Sequence, residues 1–158
     1  MQNPKSITVV IPGRPPITLF YLLLDFTGTL ARDGVLISGV AARLRRLSRR
    51  VKVVVATADT MGCAERALAG LPVEIRFIKT GADKARLIGR LGASHAAAIG
   101  NGCNDVGMIR KAVLGIAVVG PEGASGTLVA AADVVVRDVR DALDLISNPL
   151  RLIATLRE

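Results

Sequence analysis

Six short, mainly apolar runs recur along the chain, at residues 17–24, 51–56, 73–78, 96–99, 115–119 and 132–136. Each has the length of one strand, and apart from 73–78, where Glu74 and Arg76 alternate with apolar residues, none shows the strict apolar–polar alternation of a sheet with one wet face. Helix-forming stretches separate most of them. This rhythm predicts an α/β chain, a three-layer, Rossmann-like and mostly parallel sheet with helices on both faces. The run 17–24 predicts the first core strand. Ahead of it, an extended segment 6–11 ends at Pro12-Gly13-Arg14-Pro15-Pro16, a turn-rich breaker. Residues 6–24 therefore predict a β-hairpin-like opening.

Helices are predicted after Ser38-Gly39, through residues 63–68, from Gly81 toward Leu91, and over 106–112, 125–131 and 139–146. Asp83 suits the N-cap or first turn of its helix. Asn148-Pro149 stops the last of these, with a short helical tail beyond. No linker, low-complexity tract or repeat interrupts the 158 residues, so one domain spanning 1–158 is expected.

Composition narrows the setting. Hydrophobic residues make up 51%, yet no uninterrupted apolar segment approaches the roughly 20 residues of a membrane helix. Met1-Gln2-Asn3-Pro4-Lys5 lacks the apolar core and cleavage site of a signal peptide. Two cysteines, Cys63 and Cys103, form no disulfide framework, so a cytoplasmic location without membrane contact is expected. Net charge is +8, with Arg43, Arg45, Arg46, Arg49, Arg50 and Lys52 clustered. Val40, Leu44 and Leu47 recur among them at helical spacing, which makes the arginines the wet face of an amphipathic helix. A polyanion surface is the alternative. With 3% aromatic residues there is little for bases to stack upon, and nucleic acid is not the expected partner.

Reactive residue types gather at the ends of the predicted strands. Asp25-Phe26-Thr27-Gly28-Thr29-Leu30 follows the first, Thr57-Ala58-Asp59-Thr60 the second, Gly81-Ala82-Asp83-Lys84 the third, and Gly100-Asn101-Gly102-Cys103-Asn104-Asp105 the fourth. Parallel strands share one carboxyl edge, so these segments converge. A carboxylate can attack phosphorus, a hydroxyl and an ammonium can stabilise phosphoryl oxygens, and acidic or amide oxygens can hold Mg²⁺. Taken singly, each segment is also ordinary turn or helix chemistry. Thr57 could simply end a strand, and Lys79 competes with Lys84.

In combination these motifs resemble the haloacid dehalogenase superfamily, most nearly the soluble proteins related to the phosphorylation domain of P-type ATPases. Asp25-Phe26-Thr27-Gly28-Thr29 resembles Asp-Lys-Thr-Gly-Thr, with Phe26 in place of lysine. Thr57-Ala58-Asp59 resembles Thr-Gly-Asp, and residues 100–105 resemble Gly-Asp-Gly-x-Asn-Asp. The resemblance implies an aspartyl-phosphate on Asp25. It implies phosphate contacts from Phe26, Thr27, Gly28, Thr57, Ala58, Lys84 and Asn104, with Lys84 neutralising charge. It also implies Mg²⁺ held at Asp25, the Thr27 carbonyl, Asn101 and Asp105, with Asn104 and Asp105 orienting the lysine and the metal's water shell.

Two departures bear on activity. Thr27 stands where the family's phosphatases carry a second, acid/base aspartate, and a hydroxyl is a poor substitute near neutral pH. Asn101 stands where they carry a metal-binding aspartate, which removes one negative charge. The intervals 31–51 and 60–77 are too short for a cap domain. The expectation is a slow, Mg²⁺-dependent phosphohydrolase with an open site, acting on a phosphorylated small molecule or a phosphoprotein. A second subunit in a homo-oligomer could cover that site. The alternative is a catalytically weak phosphate-sensing or protein-interaction module. Asp59 is expected to serve a helix N-terminus, Cys103 a variable position, and His95 a structural or exposed place.

Overall fold

A computed structural model describes residues 5–59 and 61–158. The opening Met1-Gln2-Asn3-Pro4 and Thr60, both read above, lie outside the described residues. Among the described residues, ten strands and seven α-helices follow in order: β1 (Ile7–Val9), β2 (Ile17–Leu19), β3 (Tyr21–Asp25), β4 (Ala31–Arg32), β5 (Val35–Leu36), α1 (Val40–Leu47), β6 (Lys52–Thr57), α2 (Cys63–Ala67), β7 (Glu74–Phe77), α3 (Gly81–Leu91), β8 (Ala96–Gly100), α4 (Val106–Lys111), β9 (Leu114–Val118), α5 (Gly126–Ala131), β10 (Val134–Val136), α6 (Val139–Ser147) and α7 (Pro149–Leu156).

Six of the strands form the central sheet in the order β10-β9-β8-β3-β6-β7. Every neighbouring pair is parallel. The chain builds outward from β3 through β6 and β7, then returns to the other side of β3 with β8. The reversal falls between β3 and β8, where open α/β sheets bind ligands at their carboxyl edge.

Both faces of this sheet are covered along its inner strands, which is why those strands read as continuous apolar runs, whereas edge strand β7 alternates and is half-exposed. Leu22, Leu24, Val53, Val55, Ala97 and Ile99 enter one core with the apolar faces of α1 and α6. Leu23, Val54, Ala56 and Ala98 enter the other, with Ile88 of α3, Met108 and Ile109 of α4, and Leu128 of α5. Burying each large aliphatic side chain contributes about 1.5–3 kcal/mol. The alternation also fixes register, because a one-residue slip would exchange the two cores.

Three features differ from expectation. The run 17–24 is not one strand. It divides at Phe20, and β2 pairs antiparallel with β1 in a separate hairpin, Ile7 opposite Leu19. Phe20 stays tied to the sheet through its N–H to the His95 carbonyl and its own carbonyl to the Lys52 N–H. Secondly, the interval after Asp25 holds a β4–β5 hairpin before α1. Its turn is Asp33-Gly34, both with positive φ, the two-residue geometry that Asp-Gly favours. Thirdly, the basic face of α1 is only partly solvated. Arg43 and Arg46 donate to Asp144 of α6 at 2.8 and 2.6 Å, and Asp144 is 18% exposed.

Among the described residues, the intervals read above as too short for a cap contain only the β4–β5 hairpin with α1, and α2 with β7. No helix among the described residues is long and apolar enough to cross a membrane. The Asp144 contact predicts that Asp144→Ala lowers stability by about 1–3 kcal/mol in urea titrations, as for other hydrogen bonds to charged groups. Arg45→Ala, an exposed change on the same helix, should stay within about 0.5 kcal/mol.

Candidate active site

The strand order makes four carboxyl ends neighbours. Thr57 ends β6, Asp25 ends β3, Gly100 ends β8, and the segment through Glu122 follows β9. Along β3, Leu23 faces the core beneath α3, and strand parity turns Asp25 to the same side. The start of α3 is fixed by a capping box. The Thr80 hydroxyl accepts from the Asp83 N–H at 3.2 Å, and an Asp83 carboxylate oxygen accepts from the Thr80 N–H at 2.9 Å. Hydrogen bonds from Arg86 and Thr80 hold the Asp83 carboxyl down to about 2. A side chain on Gly81 would begin 2.6 Å from the Asn104 carbonyl oxygen. Glycine therefore lets the helix end meet the 100–105 loop.

One turn into this helix, Lys84 is 1% exposed. Its Nζ donates to Asp25 Oδ1 at 2.5 Å and to Asp105 Oδ1 at 2.6 Å. The other Asp105 oxygen accepts the N–H groups of Asn101 and Gly102 at 3.1 and 3.0 Å. One buried cation thus holds two carboxylates together. Burial pushes the Asp25 carboxyl up, Asp105 reinforces it, and Lys84 and Thr29 only partly offset the rise, which reaches about 6. Burial alone would lower the Lys84 pKa, but the attraction of Asp25 and Asp105 outweighs it and raises it. The lysine is charged at neutral pH.

On its other side, Asp25 Oδ2 accepts from the Thr29 hydroxyl at 2.9 Å. The same hydroxyl lies 3.2 Å from Asn101 Oδ1. A hydroxyl has one proton to donate, so Asp25 Oδ2 and Asn101 Oδ1 cannot both receive it. Two acceptor oxygens converging with a shortage of donors suit a hard cation. The carbonyl of Thr27 accepts none of the tight-turn bonds here, which run to the Phe26 and Ala31 carbonyls. Among the described residues no three His, Cys, Asp or Glu side chains cluster as metal ligands. A cation would accordingly rely on fewer than three carboxylates together with amide and main-chain oxygens, a donor set that fits Mg²⁺.

Above these groups is a cleft of about 370 Å³, lined by Asp25, Thr27, Thr57, Ala58, Lys84 and Asn104, together with Asn101, Asp59 and Glu122. Thr57 Oγ1 accepts the Asp59 N–H at 3.1 Å, which leaves the hydroxyl proton to donate elsewhere. A larger cleft of about 650 Å³ lies between the β4–β5 hairpin and the start of α6. The buried acid–base groups are in the smaller one.

Several sequence expectations are redistributed. Phe26 does not line the cleft; its side chain is buried in the core. Gly28 lies behind the lining with φ +74°. Asp105, expected at a metal, sits beneath the cleft with both oxygens engaged by Lys84 and main-chain N–H groups. Asn104 is exposed at the cleft, and Asp105 rather than Asn104 orients the lysine. Lys79 is exposed and outside the cleft. Asp59 accepts the N–H groups of Met61 and Ala64 at the start of α2, bonds that lower its pKa. His95 packs on Phe20 and contacts the Thr18 carbonyl.

Thr29 and Glu122 were not anticipated at the site. Thr29 was legible as the residue that a tight turn brings back upon Asp25. Glu122 required extending the strand-end logic to β9.

Lys84→Met would leave two buried carboxylates together, and a loss of about 3–5 kcal/mol is expected in denaturant titrations. Asp25→Asn should act oppositely. Because the folded state holds the Asp25 proton more tightly than the unfolded chain, this group favours folding most below about pH 4, and its contribution falls as pH rises through about 6. In chelator, Asp25→Asn should melt a few degrees above the parent at pH 7.5, with the gap closing near pH 4. A lower melting temperature at pH 7.5 would contradict the electrostatics described.

No family model matches the chain. An uncharacterised protein of Methanocaldococcus jannaschii is 51% identical over 61 residues; the match spans 39% of this chain and 66% of that protein, just under two thirds of its length. Among solved structures, the 3-deoxy-D-manno-octulosonate 8-phosphate phosphatase of Moraxella catarrhalis, in complex with magnesium ion, phosphate ion and KDO, has a TM-score of 0.66. It covers 88% of this chain and 94% of its own, at 21% identity. A zinc-transporting PIB-type ATPase has a TM-score of 0.62 over 76% of this chain and 20% of that one, at 22% identity. The structural neighbours also include a hydrolase of Legionella pneumophila assigned to the haloacid dehalogenase superfamily, with a TM-score of 0.67 at 18% identity, and a phosphoserine phosphatase, with a TM-score of 0.67 at 16% identity. The chain has their Rossmann-like fold, with no cap domain among the described residues.

Proposed function

We propose that this chain is a Mg²⁺-dependent phosphohydrolase of the haloacid dehalogenase type, acting through an aspartyl-phosphate on Asp25. The observation that carries this reading is the Lys84 ammonium between Asp25 and Asp105 beneath an open cleft. Such a constellation matches a nucleophile, its charge-neutralising partner and the acid that orients that partner.

The residues divide the work as follows. A carboxylate oxygen of Asp25 attacks phosphorus, and the bond from phosphorus to the leaving oxygen breaks. Lys84 and the Thr57 hydroxyl stabilise the charge on the phosphoryl oxygens. Mg²⁺, held by Asp25, the Thr27 carbonyl and Asn101, would supply further positive charge to those oxygens. The leaving oxygen takes its proton from solvent, because the Thr27 hydroxyl is too weak an acid near neutral pH. Water then displaces phosphate from the aspartyl carboxyl and regenerates Asp25. Lacking the second aspartate, the reaction loses a factor of about 10²–10⁴ in both proton transfers. Phosphate esters with good leaving groups, on small molecules or phosphoproteins, are the substrate class that suits this site.

A weak phosphate-binding module is the second reading, favoured by the same absence at Thr27 and by the neutral Asn101. Stopped-flow hydrolysis of an aryl phosphate separates the two. Slow turnover that requires Mg²⁺, vanishes in Asp25→Asn and rises at least tenfold in Thr27→Asp is expected. Turnover undiminished in Asp25→Asn would refute the hydrolase mechanism. Rapid steady hydrolysis of an alkyl phosphate at neutral pH would refute the role given to Thr27.

A further inference from the structure

Glu122 lies at the mouth of the cleft, on a strand end that the motif pattern does not include. The loop carrying it is held against Asn101. β9 pairs with β8 up to Gly100 opposite Ala117, so the two strands deliver adjacent loops. The Ser125 N–H donates to the Asn101 carbonyl at 2.9 Å, and Asn101 Nδ2 donates to the Gly123 carbonyl at 3.3 Å. The Gly123 N–H closes the turn on the Gly120 carbonyl at 2.9 Å.

Gly28 defines where this loop delivers its carboxylate. A side chain at Gly28 would begin 2.5 Å from Glu122 Oε2 and 2.6 Å from Asn101 Nδ2. Carboxylate and amide therefore meet over the same piece of backbone, directly after Thr27. The positive φ of Gly28 and this close approach both require glycine there. Glu122 takes part in no ion pair among the described residues, although the chain carries a net charge of +8.

The charge balance of the site leaves room for it. Lys84 neutralises one of the two buried carboxylates, so Asp25, Asp105 and Lys84 together carry a single negative charge. Asn101 adds none. Mg²⁺ is ordinarily bound through one or two carboxylates plus substrate phosphate and water. We infer that Glu122 completes the divalent-cation site, supplying from the loop after β9 the negative charge that Asn101 lacks. The carboxylate acts on the cation or on its water shell, as outer-shell partners of metal sites do.

This inference rests on the proposal that the cleft holds a divalent cation, and the test separates the two. Mg²⁺ is titrated by calorimetry, and Mn²⁺ by electron paramagnetic resonance of the free ion, in the absence of any phosphate ester. Glu122→Gln should weaken both affinities by about 10–100-fold, the range for loss of an outer-shell partner. Asn101→Asp in the Glu122→Gln background should restore most of the loss, which a structural defect in the loop would not allow. Glu65→Gln, an exposed acid outside the cleft, should bind as the parent does. If the parent binds saturably and Glu122→Gln stays within twofold of it, the role of Glu122 is wrong while the cation site stands. If the parent binds neither ion saturably, both fail.

Discussion

One ammonium group buried between two carboxylates is the interaction on which this structure depends. Lys84 Nζ reaches Asp25 and Asp105 from a helix that neither belongs to, and all three side chains are almost wholly withdrawn from solvent. Such an arrangement is costly unless every charge is matched, because desolvation opposes each ion singly. Here the remaining oxygens are met by Thr29 and by the N–H groups of Asn101 and Gly102. The excess negative charge and the burial together lift the Asp25 pKa. The fold thereby holds a carboxylate of raised pKa beside an open cleft.

The surrounding architecture serves that placement. Parallel strands bring Thr57, Asp25 and Asn101 to one edge, and the reversal of strand order between β3 and β8 opens the cleft there. The capping box at Thr80 and Asp83 sets where α3 begins, and Gly81 lets it press against the 100–105 loop. A small change in either would move Lys84 away from its partners.

Much of this was readable from residues alone, and the reasons are physical. Strands buried on both faces must be continuously apolar, so the core strands declared themselves, and their ends named Asp25, Thr57, Lys84 and the 100–105 loop. The break at Phe20 was not readable, since residues 17–19 and 21–24 are equally apolar and only pairing separates them. The β4–β5 hairpin has one local signal, Asp33-Gly34, with only two residues of strand on either side of it. The docking of α1 on α6 through Asp144 depends on a partner about a hundred residues away. No local pattern encodes it. Of Asn104 and Asp105, both expected to orient the lysine, Asp105 is the one that bonds it; a motif gives residue type and not which way each oxygen points.

The substitutions at Thr27 and Asn101 act in one direction. In the mechanism proposed above, each leaves Asp25 and Lys84 intact; with a donor whose leaving group needs no proton, loss of the acid/base at Thr27 slows the breaking of a phosphoryl–enzyme bond more than its formation. Accumulation of that bond is thus the most direct sign of the chemistry. Intact-protein mass spectrometry after acid quench, with Mg²⁺ and a reactive phosphoryl donor, reads it. The account predicts a single added phosphoryl group, released by hydroxylamine as an acyl phosphate and missing from Asp25→Asn. An unmodified chain, or an adduct that persists without Asp25, would contradict it.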